Sequence, residues 1–145
     1  MESLVGGCQC GAVRYEVADA FRYAANCHCS RCRAATGTAF KAFAGIERKK
    51  LAITSGLDKL LIVGEEAAND TRCGVCGSLL FSVVCDGAFV HVAMGSLVDV
   101  PSIRPTEHIF VVDGAIVVRE PNGERTLECG DLVCFPPALP ERTRS

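Results

Sequence analysis

The chain has 145 residues and a net charge of −2, and 49 % of its residues are hydrophobic. No apolar run approaches the ~20 residues of a membrane helix, and the N-terminus lacks the basic and apolar stretches of a signal peptide, so we expect a cytoplasmic protein with no membrane partner. The basic run Arg48-Lys49-Lys50 is too short for the basic stripe that nucleic-acid binding requires. The length fits a single domain, which we expect to span residues 1–145.

The hydrophobic pattern predicts a mostly β protein. Residues 12–17 alternate between apolar and polar side chains, as a half-buried strand does. Asp86-Gly87 and Asp113-Gly114 each separate two β-rich runs and predict hairpins, because type I′ turns favour Asp-Gly; Asn122-Gly123 predicts a third turn. The predicted strands are residues 12–17, 40–44, 51–54, 59–63, 79–85, 88–93, 109–112 and 115–118. The proline-rich residues 135–140 predict an extended strap.

One short helix is predicted just after Cys29. Ser30 is a suitable N-cap, residues 31–35 are compatible with a helix, and Gly37 is a suitable stop. A turn of helix would bring the sulfur atoms of Cys29 and Cys32 to one side of the backbone, where the positive end of the helix favours thiolates.

Seven of the ten cysteines lie in three short clusters, and two of these clusters are pairs followed by a glycine. Without a secretion signal, such spacing indicates metal binding rather than disulfides. Two pairs supply the four thiolates of a closed structural zinc site; they are Cys8 and Cys10 with Cys73 and Cys76. The alternative is that these are unrelated thiols of the core.

The third cluster is a triplet, Cys27, Cys29 and Cys32. A zinc ion with three protein ligands and an open fourth position is the catalytic arrangement. Three thiolates make the ion a weak Lewis acid but suit an incoming thiol, so we expect thiol activation rather than hydrolysis. The cysteines therefore predict two zinc ions per chain, one structural and one catalytic. The alternative is a second structural zinc with a remote fourth ligand, from among Cys85, His28, His91 and His108.

Other interpretations apply to the same histidines and to the cysteines outside the clusters. The side chain of His28 is expected to point away from the metal, because its neighbours on both sides are ligands. For His91 a structural role is favoured over ligation, and His108 either closes over a pocket or begins a strand. Core packing is expected for Cys85, Cys129 and Cys134.

Four segments match a known family in the same order. They are Gly7-Cys8-x-Cys10-Gly11-x-Val13-x-Tyr15, Cys27-His28-Cys29-Ser30-x-Cys32-Arg33-x-x-x-Gly37, Cys73-x-x-Cys76-Gly77-x-x-Leu80 and Pro105-x-x-His108-Ile109-Phe110. Together they resemble the glutathione-dependent formaldehyde-activating enzyme family, which is grouped with the centromere-protein-V-like proteins. The resemblance covers about residues 4–112.

The resemblance implies an Mss4-like, zinc-stabilised β-sheet fold with one short helix. It also implies a structural zinc on the two cysteine pairs and a second zinc on the triplet, where glutathione and formaldehyde are proposed to combine into S-hydroxymethylglutathione. The chain lacks the tryptophan that the family usually carries after the His-Ile-Phe segment, and residues 113–145 are expected to form a divergent hairpin and strap. The basic residues nearest the triplet in sequence are Arg31, Arg33 and Lys41.

Two functional hypotheses follow from these observations. The first is a zinc-dependent carbon–sulfur lyase that acts on the thiol adduct of an aldehyde, with Cys27, Cys29 and Cys32 as the catalytic residues. The second is a non-catalytic module that binds glutathione, another thiol or a protein on a zinc-stabilised β scaffold. A nucleic-acid-binding zinc ribbon is disfavoured by the sequence pI of about 5.9. The expected partners are a small thiol and an aldehyde, and no oligomeric state is predicted.

Overall fold

The computed structural model describes residues 2–110 and, as backbone alone, the strands at 116–120, 123–127 and 133–134. The protein is mostly β, as predicted. The strands are β1 (Ser3–Gly7), β2 (Arg14–Ala18), β3 (Tyr23–Cys27), β4 (Lys41–Glu47), β5 (Leu51–Ser55), β6 (Leu60–Glu65), β7 (Ala68–Cys73), β8 (Leu79–Val84), β9 (Phe89–Ala93), β10 (Glu107–Ile109), β11 (Ile116–Glu120), β12 (Gly123–Leu127) and β13 (Val133–Cys134). The helix α1 is Ser30–Thr36, and 3-10 turns lie at Arg48–Lys50, Leu57–Lys59, Cys85–Gly87 and Met94–Ser96.

The chain divides into two compact units, which are described separately. The first unit comprises Met1–Ala24 and Phe43–Arg104, and the second comprises Ala25–Ala42 and Pro105–Ser145. In the first unit, β1, β2 and β5 form an antiparallel sheet in that order. The strands β4, β9, β8, β7 and β6 follow one another in a second antiparallel arrangement, which ends at β6.

The core of the first unit follows from the alternation in its strands. In β2, Tyr15 and Val17 are fully buried while Glu16 between them is exposed. The Tyr15 ring packs edge-on against Phe81 with centroids 6.4 Å apart, and its hydroxyl lies 2.6 Å from Ser96 Oγ. Since full burial of a large apolar side chain contributes about 1.5–3 kcal/mol, these strands supply much of the stability of the unit.

The hairpin predicted at Asp86-Gly87 is present, but its loop is longer than a two-residue turn. Val84 pairs with Phe89, so four residues join β8 to β9. Three of them have positive φ: Cys85 (54°), Asp86 (56°) and Gly87 (87°). The prediction that Cys85 packs in the core is wrong, because the residue belongs to this loop and is exposed.

The second unit contains the predicted helix. Gly37 ends α1 with φ 68° and donates its N–H to the Arg33 carbonyl at 2.8 Å, as expected of a glycine stop. The N-cap is Cys29 rather than Ser30, because the backbone is still extended at Cys29 and its sulfur accepts the N–H of Cys32. The prediction of Ser30 as the cap is therefore wrong by one residue.

The strand β10 pairs in parallel with β3, through His108↔Asn26 and Ile109↔Cys27, and antiparallel with β13. Farther along the chain, β11 pairs with β12 from Glu120↔Gly123 onward, which confirms the chain reversal predicted at Asn122-Gly123. The turn predicted at Asp113-Gly114 and the strap at residues 135–140 lie outside the described residues. No helix in the described part of the chain is long and apolar enough to cross a membrane.

Candidate metal centres

The two predicted cysteine pairs come together in the first unit. The loop between β1 and β2 carries Cys8 and Cys10, whereas Cys73 ends β7 and Cys76 lies in the segment that follows that strand. All four sulfur atoms lie within 4.8 Å of one another, with 3.6 Å from Cys8 to Cys10 and 3.8 Å from Cys10 to Cys73. A tetrahedron with Zn–S distances near 2.3 Å places its sulfur atoms roughly 3.8 Å apart. The spacing of this four-cysteine cluster therefore fits one zinc ion.

Backbone amides of both loops point at the sulfur atoms. The N–H of Val13 donates to Cys8 Sγ at 3.2 Å, and those of Val75 and Cys76 donate to Cys73 Sγ at 3.3 and 3.4 Å. These donors stabilise negative sulfur and orient it toward a common centre. Both loops need their glycines, since Gly11 and Gly77 have φ values of 84° and 82°.

The four thiols influence one another strongly. The Ser78 hydroxyl, 3.1 Å from Cys76 Sγ, is the main cause that lowers the pKa of Cys76 to about 5. For Cys10 a hydrogen bond from Ala12 favours the thiolate, but lost hydration and the neighbouring thiols outweigh it and raise the pKa to about 11. Like charges at these distances cannot all ionise without a cation, so the donor set is suited to a divalent metal ion.

The predicted triplet is assembled in the second unit. Cys27 ends β3, Cys29 caps α1 and Cys32 lies in the first turn of that helix. Their sulfur atoms lie within 4.8 Å of one another, and the N–H of Cys32 donates to Cys29 Sγ at 3.3 Å. Cys27 is buried, whereas Cys29 and Cys32 are half-buried. The three donors also fit one metal ion, and two of them face partly toward solvent.

A buried lysine adjoins this triplet. Lys41 is only 5 % exposed, and its positive charge favours the thiolate forms of Cys27 and Cys32. A hydrogen bond from the Cys32 thiol is the main cause that lowers the pKa of Cys27 to about 6, and the same bond raises the pKa of Cys32. Sequence reasoning noted Lys41 only as a nearby base. The burial of Lys41 could have been predicted from its position two residues before the apolar Phe43, because residues i and i+2 of a strand lie on the same face.

A histidine pair lies in the same unit as the triplet. His28 Nε2 is 2.5 Å from His108 Nδ1, and both rings contact Phe40. Burial lowers the pKa of His28, with a smaller contribution from the positive charge of Arg33. Burial also lowers the pKa of His108 to about 4, with a smaller contribution from repulsion that a protonated His28 would exert. Both imidazoles are therefore neutral at pH 7.

The structure does not bring the proposed remote ligands to the triplet. Among the described residues, no histidine, cysteine or carboxylate joins Cys27, Cys29 and Cys32 within the same 4.8 Å limit. His28 bonds to His108, and His91 bonds through Nε2 to the Tyr23 hydroxyl at 2.7 Å and stacks on Phe43. Cys129 and the side chain of Cys134 lie outside the described residues, so their predicted core packing stays a prediction.

Comparison with known proteins assigns the family. The sequence profile described as "Glutathione-dependent formaldehyde-activating enzyme" matches residues 3–113, which include both cysteine clusters and the histidine pair. The chain belongs to this family. The crystal structure of a structural-genomics target from Rhodobacter sphaeroides has a similar fold, with a TM-score of 0.56 and 27 % sequence identity over 68 % of this chain and 92 % of that one. None of the curated proteins compared matches the chain.

Membership of the glutathione-dependent formaldehyde-activating family confirms the resemblance seen in the sequence. The mostly β architecture with its cysteine clusters is that of a GFA/Mss4-like β fold. The matched region ends at residue 113, close to the boundary expected from the motifs, and leaves the C-terminal segment outside the match. The family name points to an enzyme of the formaldehyde-activating kind.

Proposed function

We propose that the protein is a zinc-dependent enzyme of the carbon–sulfur lyase type, acting on the thiol adduct of an aldehyde such as S-hydroxymethylglutathione. The observation that carries this proposal is the triplet of Cys27, Cys29 and Cys32. Its three sulfur atoms converge, and no fourth protein ligand joins them among the described residues. The family to which the chain belongs, named for glutathione and formaldehyde, supports the same substrate class.

The two clusters are assigned different roles in this proposal. The four-cysteine cluster would hold a structural zinc, because four ligands close the coordination sphere; its ligands are Cys8, Cys10, Cys73 and Cys76. Cys27, Cys29 and Cys32 would hold the catalytic zinc and act as the catalytic residues. When bound there, zinc would lower the pKa of a thiol that occupies the fourth position and hold the resulting thiolate.

The residues around the triplet suit it to a thiol. Three cysteine thiolates already exceed the charge of a divalent ion, and a substrate thiolate adds a further negative charge. The buried ammonium of Lys41 offsets this excess, since its charge favours the thiolates of Cys27 and Cys32. Lys41 is thus a positioning residue for charge rather than a group that meets the substrate.

The neutral pair of His28 and His108 suits proton transfer. Addition of a thiol to an aldehyde forms one carbon–sulfur bond, and the proton that leaves sulfur is matched by the proton that the carbonyl oxygen gains. The cleavage reaction reverses both changes. A hydrogen-bonded pair of neutral imidazoles contains both an acceptor and a donor nitrogen, so it could accept the proton at one step and return it at the other.

The test begins with zinc per chain and with the rate at which S-hydroxymethylglutathione forms and breaks down, measured against the spontaneous rate by exchange NMR. Cys29→Ser is the preferred variant, because serine is also a good N-cap and preserves the start of α1. The matched control is Cys85→Ser, at an exposed thiol outside both clusters. We expect two zinc ions and catalysis above the spontaneous rate in the wild type and the control, and one zinc without catalysis in Cys29→Ser.

A second variant separates charge from ligation. Lys41→Met removes the ammonium but keeps an unbranched side chain, and we expect it to weaken zinc binding at the triplet roughly tenfold in competition with a chromophoric chelator. Full activity in Cys29→Ser, or a wild type that binds glutathione saturably without exceeding the spontaneous rate, would contradict the enzymatic proposal. The latter result would establish a binding module.

A further inference from the structure

The strand β6 is an edge strand with exposed apolar side chains on both faces. Leu61, Ile62 and Val63 are 48 %, 54 % and 55 % exposed, and they follow one another in the sequence. Within the described strands, β6 has β7 on one side and no strand on the other. An exposed, hydrophobic edge is a template for pairing with another chain, and folded proteins usually protect it with charges, prolines or a covering element.

The hydrogen bonds of β6 show which backbone groups face the open edge. The Gly74 N–H donates to the Lys59 carbonyl at 2.7 Å, so residues 59 and 74 are a hydrogen-bonded pair. The next pair in the same register, two residues farther along β6, is Leu61 with Arg72. In an antiparallel pair, alternate residues bond to the same neighbour. Residues 59, 61, 63 and 65 therefore bond toward β7, and the N–H and C=O groups of Leu60, Ile62 and Gly64 point to the open edge.

We propose that β6 pairs antiparallel with β6 of a second copy of this chain, about a twofold axis at Ile62. In this register Ile62 faces Ile62 of the second copy, and Leu60 faces Gly64. Each edge-facing residue thereby meets another edge-facing residue, as ladder hydrogen bonds require. On the opposite face, Leu61 lies beside Val63 of the second copy, so each face gains apolar cross-strand contacts at the interface.

Charge complementarity selects this register and this occupant. The twofold axis that pairs Ile62 with itself also places Lys59 opposite Glu65 of the second copy, and it does so twice. Both residues are exposed. Within its own chain, the Lys59 ammonium makes a long ion pair, at 3.8 Å, with the exposed carboxylate of Asp58. Such surface pairs contribute little, so Lys59 is available for the intermolecular pair. A twofold interface of this kind is self-complementary.

The experiment measures the mass of the zinc-loaded full chain in solution by light scattering after gel filtration, over a range of concentrations. The wild type is expected to be a dimer. Lys59→Glu and Glu65→Lys should each place like charges opposite one another twice, and weaken the dimer roughly tenfold. Mixing the two variants should restore a dimer, because in the mixed pair position 59 of each chain again faces an opposite charge at position 65 of the other.

Two further variants distinguish this edge from a general apolar effect. Ile62→Lys should yield a monomer, because it places two lysines face to face on the axis. Val100→Lys, at a residue that is 85 % exposed and outside β6, should leave the dimer intact. The proposal is overturned by a monomeric wild type, by a dimer that all the β6 variants leave intact, or by single variants that do not recover on mixing. Retained zinc content shows that each variant is folded.

Discussion

The two cysteine clusters should differ in how much they stabilise the fold, and this can be tested with Cys76→Ser and Cys29→Ser. A metal ion at the four-cysteine cluster joins parts of the chain 63 positions apart, from Cys10 to Cys73. At the triplet the ion joins residues within Cys27 to Cys32, which are five positions apart. The entropy of loop closure grows as about 3/2 RT ln n, so loss of the longer link should cost about 2 kcal/mol more.

The assay is urea unfolding of the zinc-loaded proteins, with the midpoint and slope fitted for the wild type and both variants. We expect Cys76→Ser to lower the free energy of unfolding by about 2 kcal/mol more than Cys29→Ser, at unchanged slope. Both variants replace sulfur with oxygen and add no bulk, so they are matched in size. Equal losses, or a Cys76→Ser protein that keeps both zinc ions and its full stability, would refute the assignment of the structural site.

Two further predictions concern the fold around these sites. Burial raises the pKa of Tyr15 to about 12. The contribution of the protonated Tyr15 to the free energy of unfolding is therefore fully present below pH 10, where the tyrosine of the unfolded chain is also protonated. About 3 kcal/mol of this contribution is lost between pH 10 and 12. Tyr15→Phe loses the bond to Ser96, about 1 kcal/mol, so the unfolding free energies of the two proteins should cross at roughly pH 11; parallel curves would contradict the burial argument. Gly37→Ala should cost about 1 kcal/mol in urea unfolding because φ is 68° there, while Gly37→Asn should cost clearly less, and equal losses would rule out the conformational explanation.

The elements whose local signals agree were predictable from sequence. The spacing of the cysteines predicted both clusters, because ligand convergence is encoded in a few adjacent residues. Gly37 predicted the end of α1 since only the local backbone matters there. The start of the strand at Leu60 was predicted within one residue from a run of apolar side chains, although the strand ends at Glu65, two residues later than predicted.

The features that depend on distant parts of the chain could not be predicted in this way. Cys85 reads as the end of a buried strand, but the pairing of Val84 with Phe89 leaves it in a four-residue loop. The N-cap moved to Cys29 because the extended backbone of the preceding strand continues up to that residue. Burial of Lys41 and the bond between His28 and His108, which are 80 positions apart, arise from tertiary structure. The resemblance to the family supplied the functional class, which spacing alone left open.

The double use of the Cys29 sulfur, as helix cap and as proposed ligand, links the metal to secondary structure. The helix α1 has seven residues and none of them is buried. A helix this short is unstable in water without other support, so its first turn depends on the atom that would also bind zinc. The measured zinc affinity of the triplet would then include the free energy of ordering α1, and amide hydrogen exchange in residues 31–36 would report metal occupancy directly.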